Sequence, residues 1–259
     1  MPVEAPPPWL EAQGLPAGVS GGMSLRGGGT SRGPFDSLNL RPPGLPGGDR
    51  DDPVALADNH RRWQQRLGAA RPVWLNQVHG PRVVRVGMQQ VHGIDGPFPT
   101  ADASFSTEAG VACSVLVADC LPVLFALPDG RGVGAAHAGW RGLAGGVLEA
   151  TVQALCDAAA AQPHELHAWM GACIGPDTFE VGADVLDAFG AAGADRFRPA
   201  SVPGKWWADL PGLAHDRLRR LGVRQVQAAG ACTVSDPSRF FSFRRDRVTG
   251  RHAACVWIG

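Results

Sequence analysis

Three side chains able to hold a soft cation or activate water sit at similar junctions in this chain. They are His79 in "PVWLNQVHG" (72–80), Cys120 in "VADCLPVLF" (117–125) and His137 in "AAHAGWRGL" (135–143). Each ends or interrupts an apolar run. A cysteine in such a run is often no more than a small buried hydrophobe. A histidine within "GAAHAG" is less at ease as core, because a buried imidazole needs partners for both nitrogens and its Gly and Ala neighbours supply none. His79 adjoins the Gly80-Pro81 turn, at a strand end where sites are commonly built. Two imidazoles and one thiolate suit Zn²⁺, or a thiolate-tolerant copper ion, and three protein ligands leave a fourth position open, the catalytic rather than the structural pattern. Zinc held this way lowers the pKa of a bound water to about 7. Two other uses of the same residues stay open. Cys120 and His137 suit the nucleophile–base pair of a metal-free cysteine hydrolase, with His79 incidental. A hidden fourth ligand would make the metal a structural clip.

The elements that must position this trio are legible in part. "PDGR" (128–131) reads as a tight turn centred on Asp129-Gly130. Antiparallel partners then place Leu121 opposite Ala138 and Pro122 opposite His137. Residues two apart on a strand share a face, so Cys120 and His137 are diagonal neighbours with Cα atoms roughly 7–8 Å apart. Pro122 cannot donate to a ladder and implies an edge or a bulge. "PVWLNQVHG" and "RVVRVG" are short β-rich runs split by Gly80-Pro81, as in a strand pair. "PVALADNHRRWQQRLG" (53–68) is predicted helical with Gly68 as its C-cap. "GWRGLAGGVLEATVQALCDAAAA" carries two apolar stripes at helical spacing and is predicted to be one broadly buried helix. "LHAWMGACIG", "RQVQAAG" and "RHAACVWIG" read as strands, "GADVLDAFGAAG" and "DLPGLAHDRLRRLG" as helices. The fold class expected is mixed α/β (α+β), one domain with a mixed β-sheet flanked by helices, over residues 23–259. Residues 1–22, rich in Pro and Gly, are expected to form an irregular arm, and 41–52 a loop.

Composition sets limits on function. The chain has 259 residues, a hydrophobic fraction of 44% and a charged fraction of 19%, values of a globular protein with a sizeable core. Its 24 basic and 24 acidic residues cancel, so no basic excess exists to displace counterions and no nucleic-acid partner is expected. No stretch approaches eighteen uninterrupted apolar residues, and no membrane span is expected. "MPVEAPPPWLEAQG" lacks a basic region followed by an apolar one, so no secretory signal is expected. Six cysteines are too dilute for a disulfide scaffold, which points to reduced thiols in the cytoplasm. Cys113, Cys156 and Cys173 read as packing residues, and His92, His164 and His167 as surface residues.

"NQVHG", "ADCLPVLF", "AAHAGWRGL" and "FFSFRRDRVTGR" resemble the motifs of the YfiH-type family, also called laccase-domain or multicopper polyphenol oxidase-like proteins. "RGGGTSRGPFDSLNL" (26–40) and "GACIGPDTFEVG" resemble its N-terminal and central motifs, so the likeness runs from about residue 15 to the C-terminus. It implies a single mixed α/β domain and a metal, Zn²⁺ or alternatively Cu²⁺, held by His79, Cys120 and His137. It also implies purine nucleoside phosphorylase activity, with adenosine deamination and methylthioadenosine cleavage. Other roles attached to the family are peptidoglycan editing, which hydrolyses a serine-containing UDP-muropeptide precursor, and copper-dependent polyphenol oxidation. Laccase chemistry needs several coppers. The eight histidines here are scattered singly without a His-x-His pair, so oxidation is expected only as a side activity of copper loading.

The expected partners are small molecules, a purine nucleoside and phosphate. Phosphorolysis needs an anion cradle, for which the backbone of "RGGGTS" and the side chains of Arg26, Arg141, Arg244 and Arg245 are candidates, with Asn39 for a ribose or phosphate oxygen. Two positions depart from the family pattern. His60 stands where Arg commonly follows Asn, leaving Arg61 to replace it, and Arg41 follows "SLNL" where Gly is usual.

Overall fold

The apolar runs pair into two large sheets laid face to face. The structure is a computed structural model that describes residues 6–259; residues 1–5 of the expected arm lie outside the described residues. In chain order the first elements are β1 (Trp9–Glu11), β2 (Val19–Ser24), α1 (Pro53–Leu67), β3 (Arg71–Val73) and β4 (Val83–Arg85). Next come β5 (Ala103–Ser106), β6 (Val111–Val117), β7 (Leu121–Ala126), β8 (Val133–Ala138), α2 (Trp140–Ala144) and α3 (Val147–Ala159). The rest are β9 (His167–Met170), β10 (Glu180–Gly182), α4 (Ala183–Phe189), β11 (Phe197–Pro199) and β12 (Lys205–Ala208), then α5 (Leu210–Arg220), β13 (Gln225–Ala228), α6 (Phe243–Asp246) and β14 (His252–Ile258).

The β-structure is divided over three sheets where one mixed sheet was expected. A five-stranded sheet runs β1-β2-β14-β6-β3, a six-stranded sheet runs β13-β9-β7-β8-β5-β4, and β10-β12-β11 form a small third sheet. Both large sheets mix parallel and antiparallel pairs. Alternation along the strands makes the layers. In β6, Val111, Cys113, Val115 and Val117 pack with Leu124 and Ala126 of β7 and with Val133 and Ala135 of β8, forming a core between the sheets. The alternate residues Ala112 and Leu116 pack with Trp63 and Leu67 of α1. Leu121, Val123 and Phe125 of β7 meet Leu148, Val152 and Leu155 of α3 on the far side. The order is helix, sheet, sheet, helices. Central strands buried on both faces read as near-continuous apolar runs, which is why "VACSVLV" and "LPVLFAL" lack polar alternation.

Several sequence expectations need correction. The irregular arm contains β1 and β2, and β2 crosses the expected boundary at residue 23. Its glycines disguise it, yet they are what the sheet requires: a Cβ at Gly22 would lie 2.6 Å from the carbonyl oxygen of Leu10 on β1. β3 and β4 do not pair with each other; they join different sheets, beside β6 and β5 respectively. The single long helix is two, α2 and α3, broken at Gly145-Gly146, where Gly146 takes φ +92°. α1 does run from Pro53 at its first turn, with the Asp52 side chain accepting from Val54 N–H at 2.9 Å, to Gly68 at its end.

The hairpin register is the expected one, with Leu121 opposite Ala138 and Pro122 opposite His137. Pro122 nevertheless lies in a strand flanked on both sides, by β8 and β9. The His137 N–H is directed away from it, to the carbonyl of Asp102 at 2.7 Å. Pro122 therefore loses no ladder bond to β8, and its carbonyl still accepts from Gly171 N–H at 2.9 Å, just past the end of β9.

Candidate metal centre and its pocket

His137 lies on β8 with the parity of Val133 and Ala135, so its side chain is directed into the layer between the sheets. Cys120 lies immediately before β7, partly buried against the same layer. The turn carrying it is held by Asp119, whose backbone is left-handed at φ +88°. The Asp119 carboxylate accepts from Thr233 Oγ1 and from Arg244 N–H, both at 2.6 Å, and its carbonyl accepts from Ile174 N–H at 2.9 Å.

His79 sits on a loop docked against β6 by the side chain of Gln77, whose amide accepts from Leu116 N–H at 2.7 Å and donates to the Leu116 carbonyl at 2.9 Å. That amide imitates a neighbouring strand and extends the sheet edge by one pairing. His79 itself is left-handed at φ 62°, a conformation uncommon outside glycine. The strain is offset by one carboxylate. Asp102, fully buried before β5, accepts from three successive N–H groups, Val78 at 3.1 Å, His79 at 2.8 Å and Gly80 at 2.8 Å. The same carboxylate bonds His137 Nδ1 at 2.8 Å. One side chain thus sets the loop of one histidine and the ring of another, leaving His137 Nε2 for the site. Sequence reasoning missed Asp102; the only signal was an acidic residue between alanines directly before an apolar strand.

The trio converges: one donor atom each from His79, Cys120 and His137 lies within 4.8 Å of the other two. The two rings meet edge to face with centroids 4.7 Å apart, and Cys120 Sγ lies 3.9 Å from His79 Nε2. Among the described residues no fourth His, Cys, Asp or Glu joins them. Gly139 keeps the space open, since a Cβ there would lie 2.9 Å from Cys120 Sγ and 3.1 Å from His79 Cδ2. Burial alone would push the Cys120 thiol up, but the His137 charge and hydrogen bonds from both rings outweigh it and bring the group down to about 6. Burial would lower His137, and the Cys120 and Asp102 charges raise it instead to about 9. Asp102 is held below the ordinary carboxylate range, because hydrogen bonds from His137 and the loop amides overcome its burial.

A soft thiolate, two imidazoles and a carboxylate behind one of the rings form a donor set that fits Zn²⁺ or copper. The trio lines a pocket of about 310 Å³, at the small end of the range for ligand sites. Apolar Leu75, Leu116 and Val117 line it together with Phe243, Arg41 and Arg251.

The candidate substrate contacts are distributed differently from the expectation. None of Arg26, Arg141, Arg244 and Arg245 lines this pocket. Arg26 donates to the carbonyls of Asp36 and Pro237 and, with Gly27, borders a separate surface depression. Arg141 lies over the Trp140 ring, 4.3 Å from its centroid. Arg244 donates to the Thr178 and Glu180 carbonyls, and Arg245 to those of Thr233, Val234 and Phe240. These two clamp the C-terminal segment behind the Cys120 turn. Asn39 is buried, and its Oδ1 accepts from the backbone N–H of Arg41 at 3.2 Å and of Arg251 at 2.9 Å. It positions the two arginines that do line the pocket. His60 is buried edge-on against Trp74, and Arg61 pairs with Asp58 on the outside of α1, so neither faces the pocket. Cys113, Cys156 and Cys173 are buried packing residues, and His92 and His164 are exposed. His167 is half-buried, its Nδ1 bonded to the Gly14 carbonyl at 2.7 Å.

No helix of the described residues is long and apolar enough to cross a membrane. Residues 20–259 match the family model described as multi-copper polyphenol oxidoreductase laccase. A purine nucleoside phosphorylase of Pseudomonas aeruginosa is 48% identical over 246 residues, covering 94% of this chain and 95% of the relative. The purine nucleoside phosphorylase YfiH of Escherichia coli is 43% identical, covering 94% and 95%. Among solved structures, YlmD from Geobacillus stearothermophilus superposes with a TM-score of 0.88 at 32% identity, covering 99% of this chain and 98% of that one. A Neisseria meningitidis protein gives 0.86 at 42%, covering 96% and 98%. The chain belongs to the YfiH family, whose model carries the laccase description.

Proposed function

We propose that this protein is a metal-dependent purine nucleoside phosphorylase that also deaminates adenosine and cleaves methylthioadenosine, with Zn²⁺ as the native ion and Cu²⁺ as the alternative. The observation that carries this reading is the convergence of His79, Cys120 and His137 beside a pocket that two arginines also line. The naming of relatives up to 48% identical as purine nucleoside phosphorylases supports it. When bound, the ion supplies a Lewis acid able to activate water near neutral pH.

The chain's own residues do the remainder. Asp102 fixes the tautomer and direction of His137 and the approach of His79. The Cys120 turn, braced by Asp119 and Thr233, presents the thiolate. Leu75, Leu116 and Val117 keep the pocket walls apolar, which strengthens every polar contact inside. Phe243, 46% exposed and lining the pocket, offers an aromatic face for a purine base. In phosphorolysis the bond from the anomeric carbon to the base nitrogen breaks as one to a phosphate oxygen forms, and the leaving base takes up a proton. In deamination, water replaces ammonia at C6 of adenine, a reaction that zinc sites with His and Cys ligands perform elsewhere.

The oxidase description is read as a side activity of copper loading, because the described residues gather one group of three ligands and not a multi-copper cluster. The cytoplasmic location expected from cysteine usage belongs to the same proposal. The test is product analysis on freshly purified protein given inosine, adenosine or methylthioadenosine, with and without phosphate. Phosphate-dependent release of base, abolished by chelation, is the expected result. Turnover only of a serine-containing muropeptide precursor supplied to the same preparation would overturn it, and activity that survives chelation but not iodoacetamide would point to a cysteine hydrolase.

A further inference from the structure

The Pro/Gly-rich stretch 41–52 folds around its own first side chain. Nη2 of Arg41 donates to the carbonyls of Leu45, Pro46 and Gly47. A Cβ at Gly48, itself left-handed at φ +74°, would lie 3.0 Å from Arg41 Nε. Arg251, more than two hundred residues away in the chain, is fixed just as firmly: its Nη1 donates to the carbonyls of Thr249 at 2.9 Å and Gly250 at 3.2 Å. The two backbones are tied to one atom, Asn39 Oδ1, which accepts from both N–H groups. Asn39 is anchored in turn by Asp51, which accepts from its Nδ2 at 3.0 Å.

Both guanidiniums line the pocket of the metal triad. All their hydrogen-bond acceptors are neutral carbonyls, Arg251 also lies 5.9 Å from the centroid of the Phe243 ring, and among the described residues no carboxylate pairs with either. Nε and Nη1 of Arg41, and Nε and Nη2 of Arg251, have no protein acceptor among those residues. Cys120, Asp49 and Asp119 act on Arg251, and Asp49 on Arg41, only through space, and the Asp119 carboxylate is already bonded to Thr233 and Arg244. Burial, with repulsion from Arg41, holds Arg251 below its usual range. Two like charges held together at one pocket, each with unused donors and no carboxylate in contact, are an arrangement that an anion completes.

We infer that Arg41 and Arg251 form a subsite for a tetrahedral oxyanion beside the triad, with Asn39 as the residue that sets their spacing. The anion is phosphate, either free as a co-substrate or as the ester of a bound nucleotide. The inference rests on the phosphorylase reading only for the choice between these two sources.

Titration calorimetry tests it directly, using the metal-loaded protein with inorganic phosphate alone and, separately, with adenosine 5′-monophosphate. The wild type is expected to bind one or both, and Arg41→Ala and Arg251→Gln are each expected to weaken binding about tenfold to hundredfold, as for loss of a charged hydrogen-bonding partner. Arg41→Lys and Arg251→Lys keep the charge without the fork and are expected to fall between, and they serve if a truncated variant fails to fold. Metal content and melting temperature are measured alongside. Saturable binding of inorganic phosphate that depends on the arginines identifies free phosphate. Such binding of the monophosphate alone identifies the ester. Binding of neither by the wild type, or equal binding by wild type and all variants, overturns the subsite. Arginine-dependent phosphate binding without nucleoside cleavage would keep the subsite and remove the phosphorylase reading. Nucleoside phosphorolysis with a phosphate KM indifferent to both arginines would do the reverse.

Discussion

His137 beside the pocket and the pair His60 and His252 on the side of the five-stranded sheet are buried alike, at 3%, 9% and 0% exposure, yet their chemistry is opposite. His137 bonds Asp102 through Nδ1 and faces Cys120, and these charges raise it to about 9 against its burial. His60 stacks edge-on against Trp74, its Nε2 has no partner among the described residues, and burial lowers it to about 4. His252 accepts from Phe241 N–H at 2.8 Å, and burial lowers it to about 3. Burial therefore does not make a ligand of a histidine. A carboxylate behind one nitrogen and a thiolate before the other do, and their absence leaves a neutral ring that packs.

The largest expected effect removes the feature that sets the regions apart. Cys120→Ala should lose its metal by elemental analysis, and turnover of adenosine should fall by more than about a hundredfold, since partners one shell further out are already worth 10–100-fold. Retention of both would erase the contrast. Asp102→Asn is next. It keeps the shape but removes the charge behind His137 and turns an amide toward N–H groups of the 78–80 loop. Metal affinity in a competitive chelator titration should weaken about 10–100-fold, with far-ultraviolet circular dichroism unchanged.

The packing histidines have their own signature. The folded-state values of His60 and His252 lie below the unfolded value of about 6.5. The unfolded chain thus binds more protons as pH falls below about 6.5, and the stability these residues contribute, complete above that pH, is lost toward 4 and then 3. His60→Leu should reduce the slope of unfolding free energy against pH between about 6 and 4.5 by up to about 1.4 kcal/mol per pH unit, measured by urea titration. An unchanged slope would place His60 in a wetter setting than its packing indicates. The smallest effect is expected for Arg141→Ala. Its guanidinium lies on Trp140 and not in the pocket, so metal content and turnover should change less than about twofold, in keeping with an exposed cation–π contact.

The contrast also marks where sequence reasoning stopped. Cys120 and His137 were legible as neighbours because a tight turn fixes register and strand parity fixes the face. The layers were legible as apolar runs, but not their division into sheets, because strands buried on both faces carry no alternation. Gly21 and Gly22 hid a strand that needed them for close approach. Asp102 was silent because its role is the sum of four hydrogen bonds to residues brought near by folding. Arg251 was silent for the same reason, and Arg41 stood out only as a departure from the family pattern, while Arg26, Arg244 and Arg245 drew notice through motifs whose work is to clamp the backbone.

X-ray absorption at the metal edge of freshly purified protein tests the centre itself. The expected spectrum is one ion per chain with a single sulfur at about 2.3 Å, two imidazole nitrogens at about 2.0–2.1 Å and one further light atom that a small ligand displaces. A shell with two or more sulfurs, one without sulfur, or a fourth protein donor that no ligand displaces would contradict it.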